Sequence, residues 1–100
     1  NAYHGVTRQP DVYAAVYVAK IHINGDHIIG RYPTDTEAAI AYNKAADLLQ
    51  EAGIGIQYAS NYLSELSSEE YHRIYRDISF EPRFPGYMSG WQSKNLEMSV

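Results

Sequence analysis

Cysteine is absent from this chain, which excludes at once a disulfide framework, a thiolate zinc finger and a cysteine nucleophile. Missing too is any apolar run near the roughly 20 residues that span a bilayer. The first residues, Asn1-Ala2-Tyr3-His4, have neither the basic nor the apolar region of a signal peptide, and an initiator Met is lacking, as expected of a piece of something longer. Basic residues are few: 8 Lys and Arg stand against 12 Asp and Glu, a formal net charge of −4. The chain as a whole therefore does not attract phosphate, and any contact with nucleic acid must come from a local patch. No internal repeat or low-complexity tract interrupts the sequence. These absences point to a soluble, intracellular domain with no membrane contact.

What is present is a modest core. Of the 100 residues, 45% are hydrophobic and 10 are Tyr, too aromatic a composition for a disordered segment. A single domain of this size buries roughly 65% of its unfolded surface, enough to fold without staples.

Residues 12–23 read VYAAVYVAKIHI, followed by Asn24-Gly25 and then DHIIGRY. Asn-Gly between two such runs is a strong hairpin signal, because a type I′ turn needs positive φ at both central residues. A two-residue loop pairs Ile23 with Asp26, His22 with His27 and Ile21 with Ile28. One face then carries Tyr13, Ala15, Tyr17, Ala19, Ile21, Ile28, Gly30 and Tyr32; the other carries Ala14, Val16, Val18, Lys20, His22, His27, Ile29 and Arg31. A three-residue loop would turn Arg31 and His27 toward the core, so the tight turn is preferred. Residues 3–6 supply a short third strand, with Arg8-Gln9-Pro10-Asp11 as the connecting turn.

Thr34-Asp35-Thr36-Glu37 is a capping box that opens a helix running to about Ala52 and stopping at Gly53. Its small-residue face, Ala38, Ala41, Tyr42, Ala45, Leu48 and Leu49, suits close approach to the Tyr/Ala/Ile side of the hairpin. A second box, Ser67-Ser68-Glu69-Glu70, opens a shorter helix with Tyr71, Ile74, Tyr75 and Ile78 on one side, and Leu66 stapling onto Tyr71. Between the helices, Ile54, Ile56, Tyr58, Tyr62 and Leu63 anchor the connection. Beyond Ser79, Pro82, Pro85, Gly86 and Gly90 break regular structure while Phe80, Phe84, Tyr87 and Trp91 recur, the pattern of an extended aromatic arm with a disordered end at residues 92–100. The expected architecture is α+β: a three-stranded antiparallel sheet packed on one long helix, with a second short helix and the arm. It divides into residues 3–55, 56–78 and 79–100.

Catalytic signatures are lacking. Ser64, Ser67 and Ser68 have no adjacent base, Glu69 and Glu70 are explained by capping and by the helix N-terminus, and there is no Gly-rich phosphate loop. His22 and His27 face each other in the preferred register and His4 approaches them. Without a carboxylate at ligand spacing they read as strand histidines, with no metal and no cofactor. His72 belongs to a solvated face. Val16, Val18 and Ile29 on the outer sheet face form an apolar centre of the kind that marks a contact surface, to which Phe84 and Trp91 of the arm can add.

The stretches Tyr3-His4-Gly5-Val6, Tyr13-Ala14-Ala15-Val16-Tyr17-Val18, Ile29-Gly30-Arg31-Tyr32 and residues 36–46, TEAAIAYNKAA, resemble the APETALA-two/ethylene-responsive-factor (ERF) DNA-binding domain. The resemblance covers roughly residues 3–55. It implies a three-stranded sheet whose outer face enters the major groove of duplex DNA with the helix packed behind, as in plant transcription factors and similar bacterial and phage proteins. Where the family carries contacting arginines, this chain has His4 and Thr7, with Arg8 one residue along. Val16 and Val18 replace a glutamate and an arginine, and Asp11 a tryptophan. The resemblance implies a noncatalytic module with regulatory function and places His4, Thr7 and Arg8 at its contacting positions; with the outer-face residues Lys20, His22, His27 and Arg31 they are expected to touch DNA mainly at phosphates. The other expectation, from the apolar centre, is a protein-interaction or dimerisation domain that keeps the fold without DNA binding. It would use Val16, Val18, Ile29, Phe84 and Trp91 toward a second copy or an adjacent domain.

Overall fold

The β-branched and aromatic runs pair as an antiparallel sheet of order β1-β2-β3, with β1 at Val6–Gln9, β2 at Val16–His22 and β3 at Asp26–Tyr32. A computed structural model describes residues 3–9, 16–23, 25–54 and 56–84 of the chain. The expected turn residues Pro10 and Asp11, the strand residues Tyr13 to Ala15, and Tyr87 and Trp91 of the arm lie outside the described residues.

The first strand begins later than residues 3–6, because residues 3–5 are spent on a turn. Gly5 has φ +72°, and a β-carbon there would collide with the Tyr42 ring and the Lys20 carbonyl, so this position needs glycine on both counts. Val6 then pairs with Ala19, Thr7 with Val18, Arg8 with Tyr17 and Gln9 with Val16.

The hairpin departs from the expected register in an informative way. Near the turn, His22 pairs with Asp26, Ile21 with His27 and Lys20 with Ile28, which leaves a three-residue loop; beyond it, Ala19 pairs with Gly30, Val18 with Arg31 and Tyr17 with Tyr32. The two halves are out of step by one residue, and a bulge absorbs the difference by setting both Ile29 and Gly30 against Ala19. The three-residue loop is thus compatible with an outward Arg31, because the bulge resets the alternation before that residue is reached. Ile29 is consequently fully buried in the core and Ile28 takes the outer face, the reverse of strict alternation. Gly30 permits this, since a β-carbon there would strike the Tyr32 hydroxyl, which lies back over the strand.

Helix α1, Asp35–Glu51, starts as its capping box dictates: the Glu37 N–H donates to Thr34 Oγ1 at 3.1 Å. It ends in a Schellman motif, with the Ile54 N–H donating to the Leu49 carbonyl and the Gly53 N–H to that of Gln50, both at 3.1 Å, while Ile54 and Leu49 are buried together. The helix lies across β1, β2 and β3 on the Tyr17 side. Ala39, Ile40, Asn43 and Ala46 are buried in addition to most of the expected face, because the connection and helix α2, Ser68–Asp77, cover further flanks of α1. Leu48 is only half-buried. Helix α2 opens on Ser67, which accepts from the Glu70 N–H at 3.1 Å, and half-buries Tyr71, Ile74, Tyr75 and Ile78 against the common core. In the connection Ile54 and Leu63 are buried and Tyr58 is half-buried, whereas Ile56 and Tyr62 are exposed rather than anchored, Tyr62 at 83%.

Three polar devices fasten these pieces. Asn43 on α1 and Asn61 in the connection, both buried, bond reciprocally: Asn43 Nδ2 donates to the Asn61 carbonyl at 2.9 Å, and the Asn61 N–H donates to Asn43 Oδ1 at 2.7 Å. Asn61 in turn clasps His4 ahead of β1, accepting from its N–H at 2.6 Å and donating to its carbonyl at 3.1 Å. Lys44 reaches the end of α2, donating to the carbonyls of Tyr75 at 2.8 Å and Ile78 at 3.2 Å above the Tyr75 and Phe80 rings, where a cation complements the helix dipole. Past α2 the chain returns along β3: the Tyr32 hydroxyl donates to the Ser79 carbonyl at 2.7 Å, the Glu81 N–H donates to the Ile29 carbonyl at 2.7 Å, and Phe84 is fully buried in the core.

Candidate functional site

The face of the sheet away from α1 is assembled by strand alternation, since directly opposed residues share a side. Its rows are Gln9 with Val16; Thr7, Val18 and Arg31; Lys20 with Ile28; and His22 with Asp26. Four of the residues expected to touch DNA therefore meet there: Thr7, Lys20, His22 and Arg31. Three do not. Arg8 pairs with Tyr17 on the α1 side, because β1 begins at Val6 and Val6 points into the core. His27 pairs with Ile21 on that same side, shifted by the three-residue loop, and its Nε2 lies 2.9 Å from the Ile23 carbonyl. His4 sits in the turn before β1 with its backbone held by Asn61, although the residue itself is exposed.

His22 thus opposes Asp26 rather than His27, with Nδ1 3.3 Å from Oδ1 of Asp26 in an exposed pair. The histidines do not converge, and among the described residues no group of three His, Cys, Asp or Glu side chains could hold a metal ion. Of the residues expected to form a protein contact, Ile29 and Phe84 are at 0% exposure inside the core, so neither is a surface residue. For Ile29 the cause is the bulge; for Phe84 it is the docking of residues 79–84 against β3. Val18 is on the outer face but also has no exposed surface, which leaves Val16 and Ile28, both half-buried, as its accessible apolar part.

Electrostatically the two sides of the domain differ. The strands carry Arg8, Lys20 and Arg31 against Asp26 alone, whereas the helices carry Asp35, Glu37, Asp47, Glu51, Glu69, Glu70 and Asp77 against Lys44, Arg73 and Arg76. Lys44 is further occupied by its carbonyl contacts. Arg8 lies on the α1 side, so the outer face itself holds Lys20 and Arg31 against Asp26, a small positive excess, while the acids within the five elements are concentrated on the helices. Shifted ionisations, by contrast, belong to tyrosines that fasten the fold. Burial, then the nearby Glu37 carboxylate, pushes Tyr32 up to about 12. Burial together with a 2.7 Å hydrogen bond to Asp47 raises Tyr75 well above the ordinary tyrosine value. A cavity of about 410 Å³, lined by Asp47, Gln50, Gln57, Tyr58 and Ser60 among others, lies between α1 and the connection.

Sequence reasoning missed Arg83. With Asp26, His27, Ile28, Arg31 and Glu81 it lines an open cavity of about 310 Å³ at the β3 edge. Nothing local in Glu81-Pro82-Arg83-Phe84 signals this placement, which depends on the long-range bond from Glu81 to Ile29. Fold and site together define a small α+β domain whose three-stranded sheet carries Lys20, Arg31 and Asp26 on the face away from α1. No family model, curated protein or solved structure matches the chain. Among the described residues, no helix is long and apolar enough to cross a membrane.

Proposed function

We propose that this domain is a noncatalytic DNA-binding module that applies the outer face of its sheet to duplex DNA, as its resemblance to APETALA-two/ERF domains implies. The observation that carries the reading is the distribution of charge: Lys20 and Arg31 stand with Asp26 on the face opposite α1, a small positive excess, while seven acids lie on the helices. A ribbon of this width is compatible with the major groove, and Thr7, Lys20, His22 and Arg31 project from it. With so few cations, contact is mainly with phosphate and its affinity is modest and salt-dependent.

A second reading draws on Val16 and Ile28, two half-buried apolar side chains of that face that stand on either side of the fully buried Val18. In it the face meets a second copy or an adjacent domain. Fluorescence anisotropy with a labelled duplex at two salt concentrations, beside light scattering for mass, separates the two. Lys20→Glu combined with Arg31→Glu abolishes DNA binding and, as an exposed or half-exposed pair, changes stability by no more than about 0.5 kcal/mol each. Unchanged affinity in that variant refutes the face. A wild type with no salt-dependent binding and a dimeric mass replaces the DNA reading with the interaction one.

A further inference from the structure

Two arginines and two carboxylates line the cavity at the β3 edge, yet they do not pair with one another. Asp26 is engaged by His22 at 3.3 Å, and Glu81 Oε2 accepts from the backbone N–H of Arg83 at 3.0 Å. Among the described residues neither the Arg31 nor the Arg83 guanidinium has a hydrogen bond or ion pair. Both arginines are exposed and, with Ile28, line an open, partly apolar recess, so their forks are free to take an outside acceptor. Their placement is built. Arg31 is set outward by the bulge, and Arg83 is brought alongside because Glu81 is hydrogen-bonded to Ile29 and Phe84 is fully buried.

We propose that Arg31 and Arg83 together grip one backbone phosphate of bound nucleic acid at the β3 edge. The inference rests on the DNA-binding reading and deepens it by adding a residue from outside the sheet. Adjacent strands lie about 4.8 Å apart, so three strands span roughly 10 Å between their outer backbones, close to the roughly 12 Å width of the major groove. What projects beyond the sheet edge therefore meets the sugar–phosphate wall and not the base edges. Two planar forks lining one recess suit a phosphodiester, whose two free oxygens accept bidentate hydrogen bonds. A phosphate contact carries no sequence information; its role is to hold register.

The test is anisotropy of the whole chain with two labelled duplexes of unrelated sequence, titrated at 50 and 200 mM salt, for wild type, Arg83→Gln, Arg83→Lys and Lys20→Gln. Loss of one phosphate contact lowers the slope of log affinity against log salt by about 0.9, so the advantage of wild type over Arg83→Gln shrinks about 3.5-fold across this fourfold change in salt. The same loss on both duplexes, with the slope but not the full affinity restored in Arg83→Lys, supports the grip. If Arg83→Gln matches wild type while Lys20→Gln weakens binding, the grip is overturned and the DNA reading stands. A loss confined to one duplex also overturns it, since that is base readout. Absence of salt-dependent binding in the wild type overturns both.

Discussion

Replacing Asn43 by Ala removes the one side chain that satisfies both backbone groups of Asn61. In the native domain Asn43, 2% exposed, accepts from the Asn61 N–H at 2.7 Å and donates to the Asn61 carbonyl at 2.9 Å. Alanine leaves a buried donor and a buried acceptor without partners, each at a cost of about 1–3 kcal/mol, or about 3–4 kcal/mol together. A domain of this length has a total stability of about 5–15 kcal/mol, so the change removes a large share of it. With a urea slope of about 1.5 kcal/mol/M, the midpoint falls by about 2 M. Amide exchange adds a local readout: Asn61 and His4, which Asn61 clasps, lose protection ahead of the sheet. The isosteric Asn43→Asp sharpens the test. Its protonated carboxyl still donates to the Asn61 carbonyl, whereas the ionised form turns an oxygen toward an oxygen. The folded state then holds that proton more tightly than the unfolded chain, and the variant loses stability as pH rises above about 4. A loss below about 1 kcal/mol for Asn43→Ala, or no pH dependence for Asn43→Asp beyond that of the wild type, refutes the reasoning.

Two further expectations concern the attachment of the last segments. Lys44→Met keeps the aliphatic stem but removes the ammonium from the carbonyls of Tyr75 and Ile78, costing about 1.5–3 kcal/mol and exposing the last turn of α2 to exchange before α1; equal protection in both helices counts against it. Because the Tyr32 hydroxyl is pushed up to about 12 by burial first and Glu37 second, the folded domain keeps a proton that the unfolded chain releases near 10. Stability from this group is complete below pH 10 and is lost as pH climbs toward 12, a decline that a series of denaturation curves detects and that Tyr32→Phe diminishes.

The parts of this fold legible in the sequence were those fixed by neighbours in the chain. Both helix starts follow from Thr34 with Glu37 and Ser67 with Glu70, and the alanine face of α1 locates its packing partner. The architecture itself follows from those elements. What escaped depends on contacts between distant residues. Alternation is a rule with period 2, and one extra residue at Ile29 inverts its assignments between the bulge and the turn, moving Ile29 inward, Ile28 outward and His27 to the other side. Asn43 and Asn61 are 18 positions apart, and neither carries a local sign that it will be buried. The same holds for the candidate site. Lys20, His22 and Arg31 were placed together by alternation within strands and Thr7 came from the family resemblance, but Arg8 was misplaced by the later start of β1 and Arg83 could be found only from the return of the chain along β3.

That return has a bearing on solubility. Open sheets invite further strands wherever backbone amides and carbonyls at their margin are unclaimed, and such addition is the first step toward cross-β stacking. Here the Ile29 carbonyl already receives the Glu81 amide, and the adjoining bulge distorts the ladder a newcomer would need. The opposite margin, β1, offers only four residues, three of them exposed and polar. The sheet is thereby guarded at one border by its own chain and at the other by brevity, and neither margin offers a long free ladder on which copies could stack into fibrils.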